Sequence, residues 1–265
     1  MQIKEFFQLN DEDKSYWLSK IGESEWAAGK YLYKLLKNDE FLNLCGNKSK
    51  VFLLTAGNDL ISFCTYSEKD DIPNTDLTPW LGFVFTFPSF RGKRRIGKLI
   101  EHVYKLAKKD GYKNLYISTD QEGLYENFGF TFFTKLKDYH NDTALVYKID
   151  IENKDYTNII GRTVKGKIDR PLGTCHPRHK EMIYPINYGY VENEFAADGA
   201  EQDVYVFGPT TPIDSYEGKV IAVYHRLNDV EDKWIVSIDG RDYPDEEILR
   251  MIEFQEQYFV GELCR

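Results

Sequence analysis

An α+β chain in two parts is what this sequence predicts: a mixed sheet with flanking helices over residues 1–152, then a small β-barrel with a C-terminal helix over residues 153–265. Three observations predict it. Up to about residue 150 the apolar periodicity alternates between strand and helix, whereas beyond residues 151–156 (IENKDY) strand follows strand. Between them, residues 80–99 (WLGFVFTFPSFRGKRRIGKL) pass from apolar strand through a Pro turn and a basic, Gly-containing loop into a helix start. That order builds an anion site, because the first N–H groups of a helix have no intrahelical partner and point at whatever sits there.

Composition sets the bounds. With 265 residues, 42% of them hydrophobic, the chain has ample material for two packed cores. No apolar run approaches the roughly 20 residues of a membrane span. The start, MQIKEFFQLNDEDK, lacks a charged segment followed by an apolar one, so a soluble cytoplasmic protein with no membrane partner is expected. Cys45, Cys64, Cys175 and Cys264 show no paired spacing, which argues for reduced thiols. Acids and bases balance over residues 1–150, so residues 151–265 carry the whole net charge of −9. An acidic second half disfavours nucleic acid and permits a cation site.

In order along the chain, Trp26, Ala27, Leu32, Leu35 and Leu36 recur at helical spacing, so the chain is expected to open with helix. Residues 50–56 and 60–67 read as two strands around the turn residues Gly57, Asn58 and Asp59. A polar loop leads to the stretch at 80–99, and from Ile96 the residues Leu99, Ile100, Val103, Leu106 and Ala107 keep one helical face to Gly111. Residues 114–119 form a strand, 121–128 a short helix stopped by Gly129, and FTFFTKL and TALVYKID two closing strands. In the second half, residues 159–168, 188–191, 203–207, 219–225 and 233–238 are strand candidates, and residues 244–259 a helix with Asp245, Glu246 and Glu247 in its first turn.

On two motifs, PSFRGKRRIGKLI and GLYENFGF, residues 50–150 resemble a GNAT-type N-acetyltransferase. The resemblance implies acetyl-coenzyme A as cofactor, its pyrophosphate on Arg91, Gly92, Lys93, Arg94, Arg95, Ile96, Gly97 and Lys98, and backbone N–H donors near Phe85 and Thr86 for the acetyl carbonyl. It makes Tyr125 the general acid for the departing thiolate and the acceptor a small-molecule or peptide amine. Arg95 is either an extra residue in the family's loop or stands for a glycine, so the loop must differ locally. No carboxylate occurs in WLGFVFTF to act as base, leaving Asp120, Glu122 or a water relay; the loop acids Asp70, Asp71 and Asp76 would attract a cation.

Residues 159–265 resemble a shortened family I inorganic pyrophosphatase through YPINYGY, DGAEQDV, NDVEDKW and FQEQYF. The resemblance implies an OB-like barrel binding pyrophosphate with magnesium or manganese. Asp198, Asp203, Asp229 and Glu231 would be metal ligands; Tyr188, Lys233 and Tyr258 would contact phosphate; Asp169 would sit near the attacking water. Two positions depart: Ala200 stands for an aspartate and Phe259 for a lysine, and the basic strand is shortened, with His176, Arg178, His179 and Lys180 as substitutes. The expected function is an N-acetyltransferase fused either to a metal-dependent phosphohydrolase or to a non-catalytic module that binds a phosphorylated metabolite.

Overall fold

The computed structural model describes residues 1–151 and 154–265, and the chain divides into two units, Met1–Glu152 and Asn153–Arg265. The boundary expected between residues 152 and 153 falls on the two residues outside the described set.

The first unit starts with strand, not helix. Strand β1 (Gln2–Glu5) pairs antiparallel with β2 (Lys50–Ala56), aligning Gln2 with Thr55. Four residues are too few to show a period, so the pairing partner, supplied from far along the chain, decides their conformation. Helix α1 (Asp11–Gly22) follows; Asn10 caps it, its side chain accepting from the Asp13 amide at 2.9 Å, and Asp11, Glu12 and Asp13 oppose the helix dipole. Helices α2 (Ala27–Lys37) and α3 (Phe41–Cys45) complete a helical layer.

Strand β2 shows by alternation how the layers form. Val51 and Leu53 join the α1–α3 core with Trp17, Ile21, Leu32, Leu35 and Phe41. Phe52 points the other way and meets His102 at 4.6 Å between ring centres. His102 belongs to α4 (Gly97–Lys109), whose residues Leu99, Ile100, Val103, Tyr104 and Ala107 are buried. The rest of the unit is β3 (Asp59–Ser67), β4 (Trp80–Thr86), β5 (Asn114–Thr119), β6 (Thr131–Lys137) and β7 (Thr143–Asp150), in the seven-stranded order β1-β2-β3-β4-β5-β7-β6.

Two irregularities meet in β4. Its parallel pairing with β5 consists of Trp80 with Tyr116, beyond which the strands separate towards their C-terminal ends. On its other edge the register passes from Thr65–Gly82 to Phe63–Phe85, so Phe83 and Val84 together face the single residue Cys64, and Phe83 has φ +46°. A bulky residue in that region is costly and persists only where its surroundings impose it.

The second unit is a closed five-stranded barrel. Strands β8 (Thr163–Arg170), β9 (Asn187–Phe195), β10 (Glu201–Phe207), β11 (Ser215–Arg226) and β12 (Lys233–Ser237) run β12-β10-β9-β8-β11, and β11–β12 pairing closes the ring. Strand β13 (Gly261–Cys264) adds to the free edge of β11, and α5 (Asp245–Glu256) packs Ile248 and Ile252 against Tyr205, Phe207 and Tyr243. The strand expected to begin at residue 159 begins at Thr163 instead. Ile159 and Ile160 pack on the Val164–Val236 core from a turn ending at Gly161, so they are apolar without being extended. Among the described residues no helix is long and apolar enough to cross a membrane.

Candidate functional site

In the first unit β4 ends at Thr86, a 3-10 turn at Pro88–Phe90 reverses the chain, and residues 91–96 lead into α4. The loop takes two left-handed positions, Gly92 (φ +79°) and Arg94 (φ +48°), and Arg95 is not one of them. The local departure from a glycine pattern therefore sits one residue before the expected position. Ile96 begins the helix with no side-chain cap. The first N–H groups instead close tight backbone turns, Gly97 donating to the Arg94 carbonyl at 2.9 Å, Lys98 to Arg95 at 3.2 Å and Leu99 to Ile96 at 3.0 Å.

The loop's arginines lie against the protein surface. Arg91 Nε donates to the Thr86 carbonyl at 2.9 Å and the guanidinium lies 5.4 Å from the Phe85 ring centre; Arg95 stacks in the same way on Phe90. Arg94 donates to the Asn127 carbonyl at 2.5 Å and covers Phe128. That contact joins the two motifs, since Asn127 belongs to the 3-10 turn Tyr125–Phe128, which stands where a longer helix was expected and which Gly129 ends at φ +89°.

Tyr125 is 7% exposed, and its ring meets Phe130. Burial first, then the neighbouring Cys64, Asp120 and Asp70, push its phenol well above the ordinary value, so at neutral pH it holds its proton. Phe87 donates to Ile61, so by ladder alternation Phe85 faces β3, with which it is paired, and Thr86 presents its backbone to the open side. Of the two residues, Thr86 is the one whose backbone N–H is turned away from β3. Asp120 lies near enough to Tyr125 to raise it, while Glu122 acts on Tyr147. A carboxyl that sequence reading gave no catalytic part, Asp70, lies across β4: a Cβ on Gly82 would sit 2.9 Å from its Oδ2. Only the acidity of its loop pointed to it.

In the second unit the expected residues are divided among several partners. Asp203 accepts from the Tyr188 hydroxyl and from Lys233 Nζ, which also lies 2.5 Å from Glu231. Burial works to raise the Asp203 carboxyl, but the Lys233 ammonium and the Tyr188 bond hold it below the usual carboxylate range. Glu231 is pushed up to about 7, chiefly by burial, with Asp203 adding to the shift. Asp169 bonds Arg170 at 2.8 Å and senses Asp203, with burial raising it. Asp198 instead accepts from the Ala200 amide in a surface turn, Asp229 pairs with Arg226 at 2.8 Å, and Tyr258 is 46% exposed beyond α5.

Phe259, standing for a lysine, carries the Arg226 guanidinium 3.5 Å from its ring centre, so a cation returns from another strand. His176, Arg178, His179 and Lys180 lie on an exposed hairpin whose ends meet at Cys175–Ile183. Among the described residues no group of three or more His, Cys, Asp or Glu side chains is placed to hold a metal ion. The donors do not fit magnesium or manganese, because the two carboxylates that do converge share an ammonium group.

Residues 6–130 match the acetyltransferase (GNAT) family, whose fold the first unit has. Among solved structures, a GNAT-family acetyltransferase from Desulfovibrio desulfuricans is 14% identical, over 57% of this chain and 99% of that one, with a TM-score of 0.44. An aminoglycoside 6'-N-acetyltransferase from Enterococcus faecium is 12% identical, over 58% and 99%, at 0.43. An inorganic pyrophosphatase from Neisseria gonorrhoeae is 20% identical, over 39% and 81%, at 0.29. None of the curated proteins matches the chain.

Proposed function

From the premise that residues 6–130 carry a GNAT acetyltransferase domain, we propose that the chain is an acetyl-coenzyme A-dependent N-acetyltransferase. The observation that carries this reading is the Arg94–Asn127 contact, which ties the turn holding a buried, protonated phenol to a cationic helix start without a side-chain cap. Acetyl-coenzyme A supplies an acetyl group on a good leaving thiolate. Arg91, Lys93, Arg94, Arg95 and Lys98, with the backbone of Gly92, Ile96 and Gly97, hold its pyrophosphate by side-chain charge at the positive end of the helix dipole. Thr86 offers its N–H to the acetyl oxygen, and Tyr125 Oη gives a proton to the departing sulfur. Calorimetric titration of the full chain with acetyl-coenzyme A tests the reading: saturable binding weakened by Arg94→Ala is expected, and no binding would exclude it.

For residues 153–265 the ammonium of Lys233 between Asp203 and Glu231 favours a non-catalytic module over a metal-dependent hydrolase. Its ligand is a phosphorylated metabolite met by Arg170, Tyr188 and the cations of the 175–183 hairpin. Phosphate release from pyrophosphate with magnesium or manganese is expected to stay at the enzyme-free rate. Release that Asp203→Ala abolishes would restore the hydrolase reading.

A further inference from the structure

The transferase reading leaves the proton of the acceptor amine without a destination, and the structure offers one. Asp70 lies in the loop between β3 and β4, where its Oδ1 accepts from the Asp71 amide at 2.7 Å. Its Oδ2 lies across Gly82, where an added Cβ would stand 2.9 Å from that oxygen and 2.8 Å from Thr65 Oγ1; a glycine is what lets the carboxyl rest on the strand. Gly82 immediately precedes the bulge at Phe83 and lies beyond the Trp80–Tyr116 pair, within the segment where β4 has parted from β5. Asp71 reaches the other side of that opening: its carboxyl interacts with Ser118 of β5, and its carbonyl accepts from the Tyr139 amide at 3.1 Å. The two acids therefore lie one on each side of the place where the strands separate, with Asp70 in electrostatic range of Tyr125.

We propose that Asp70, sharing its proton with Asp71, is the base that takes a proton from the acceptor, and that the acceptor is a primary amine arriving as its ammonium ion. The inference rests on the acetyltransferase reading. In the step, one N–H bond of R–NH3+ breaks and an O–H bond forms on Asp70 Oδ2, leaving a neutral amine with its lone pair and a neutral carboxylic acid. When the N–C bond forms and the C–S bond breaks, Tyr125 Oη gives its proton to sulfur and is reprotonated by the second proton that nitrogen loses, so the proton on Asp70 is the one finally released to solvent.

The surroundings suit that task. Burial first, then the neighbouring Asp71 carboxyl, push Asp70 up to about 8. Cys45, Tyr125 and Asp138 interact with the pair, and none of the three brings positive charge. A carboxylate of ordinary acidity, near ~4, would be a poor acceptor for an alkylammonium near ~10, and the upward shift closes much of that gap.

The test uses the full chain as wild type, Asp70→Asn and Asp70→Glu. Acetyl-coenzyme A binding is measured by calorimetry, and acetyl transfer by thiol release with spermidine, kanamycin and a lysine peptide as probes. With the fastest probe, Asp70→Asn is expected to lower kcat by about 100-fold or more while acetyl-coenzyme A binds as in wild type, and Asp70→Glu to restore part of the rate. Wild-type kcat/KM should rise as pH passes about 8, a limb that Asp70→Asn removes. Independently of activity, the Asp70 carboxyl carbon, assigned by its loss in Asp70→Asn, should titrate well above the ordinary range by NMR. Wild-type turnover in Asp70→Asn, or an Asp70 carboxyl titrating near ~4, would overturn the assignment alone. Failure to bind acetyl-coenzyme A, or to acetylate any of the three probes, would overturn the acetyltransferase reading beneath it.

Discussion

Lys233 holds its ammonium group 2.5 Å from both Asp203 and Glu231 with its side chain only 2% exposed. Removing such a charge from water costs several kcal/mol, which the two carboxylates offset; deleting the ammonium leaves two acids facing each other. Lys233→Met should therefore destabilise the second unit by about 3 kcal/mol or more at pH 7, read from urea unfolding followed at Trp234. Asp70 supplies a pH dependence of opposite origin. Its folded value lies above its unfolded one, so the stability tied to its proton is fully present below the unfolded value and is lost as pH rises through about 8. Subtracting the Tm of Asp70→Asn from that of wild type at each pH isolates the group, and the difference should fall steadily between about pH 4 and 8. A flat difference would show that the carboxyl is solvated like any loop acid. Gly82→Ala presses on the same oxygen at 2.9 Å and should cost about 1–3 kcal/mol in the first unit.

Helix α5 is tied to the barrel by a buried charge as well as by apolar packing. Arg226 of β11 donates to both oxygens of Glu256, at 2.8 and 2.7 Å, and the Tyr205 hydroxyl adds a third bond at 2.6 Å. Glu256→Ala would leave the guanidinium with Asp229 alone and an unpaired buried phenol, so a loss of about 3–5 kcal/mol is expected by the same urea measurement, whereas a surface ion pair would give under about 1. Element by element, what sequence could show depended on whether a period had room to appear. The β2–β3 hairpin and α4 were legible because seven to thirteen residues carry a period around Gly57 and before Gly111. Strands β1 and β13, four residues each, were not, because their partners Thr55 and Val223 lie far along the chain. The loop at 91–97 was legible as a cationic helix start, though its left-handed arginine is Arg94 rather than Arg95, a distinction set by the Asn127 carbonyl it reaches. Asp203 and Glu231 lie too far apart in sequence for spacing to bring them together, and nothing in the pattern showed that the Lys233 ammonium lies against both.

At the scale of the whole chain, each unit has a core of its own. Trp17, Leu32, Phe41 and Phe63 belong to one, and Tyr205, Ile235 and Ile252 to another in the second unit. A single unfolding free energy is therefore the wrong description, and two transitions are expected, because two-state behaviour belongs to a cooperative core. Trp234 is the only tryptophan of the second unit, so a chain with Trp17, Trp26 and Trp80 replaced by Phe reports the barrel through Trp234 alone, while wild-type calorimetry records both units. A ligand that binds only the folded first unit adds RT ln(1 + [L]/Kd) to that unit, about 2.7 kcal/mol at one hundred times Kd. Acetyl-coenzyme A at that excess should raise one calorimetric transition and leave the Trp234 transition in place. Lys233→Met should do the reverse, lowering the Trp234 transition and leaving intact the one that acetyl-coenzyme A moves. If both perturbations shifted both transitions equally, the two cores would unfold as one, and cofactor binding on residues 91–98 would be coupled energetically to the barrel.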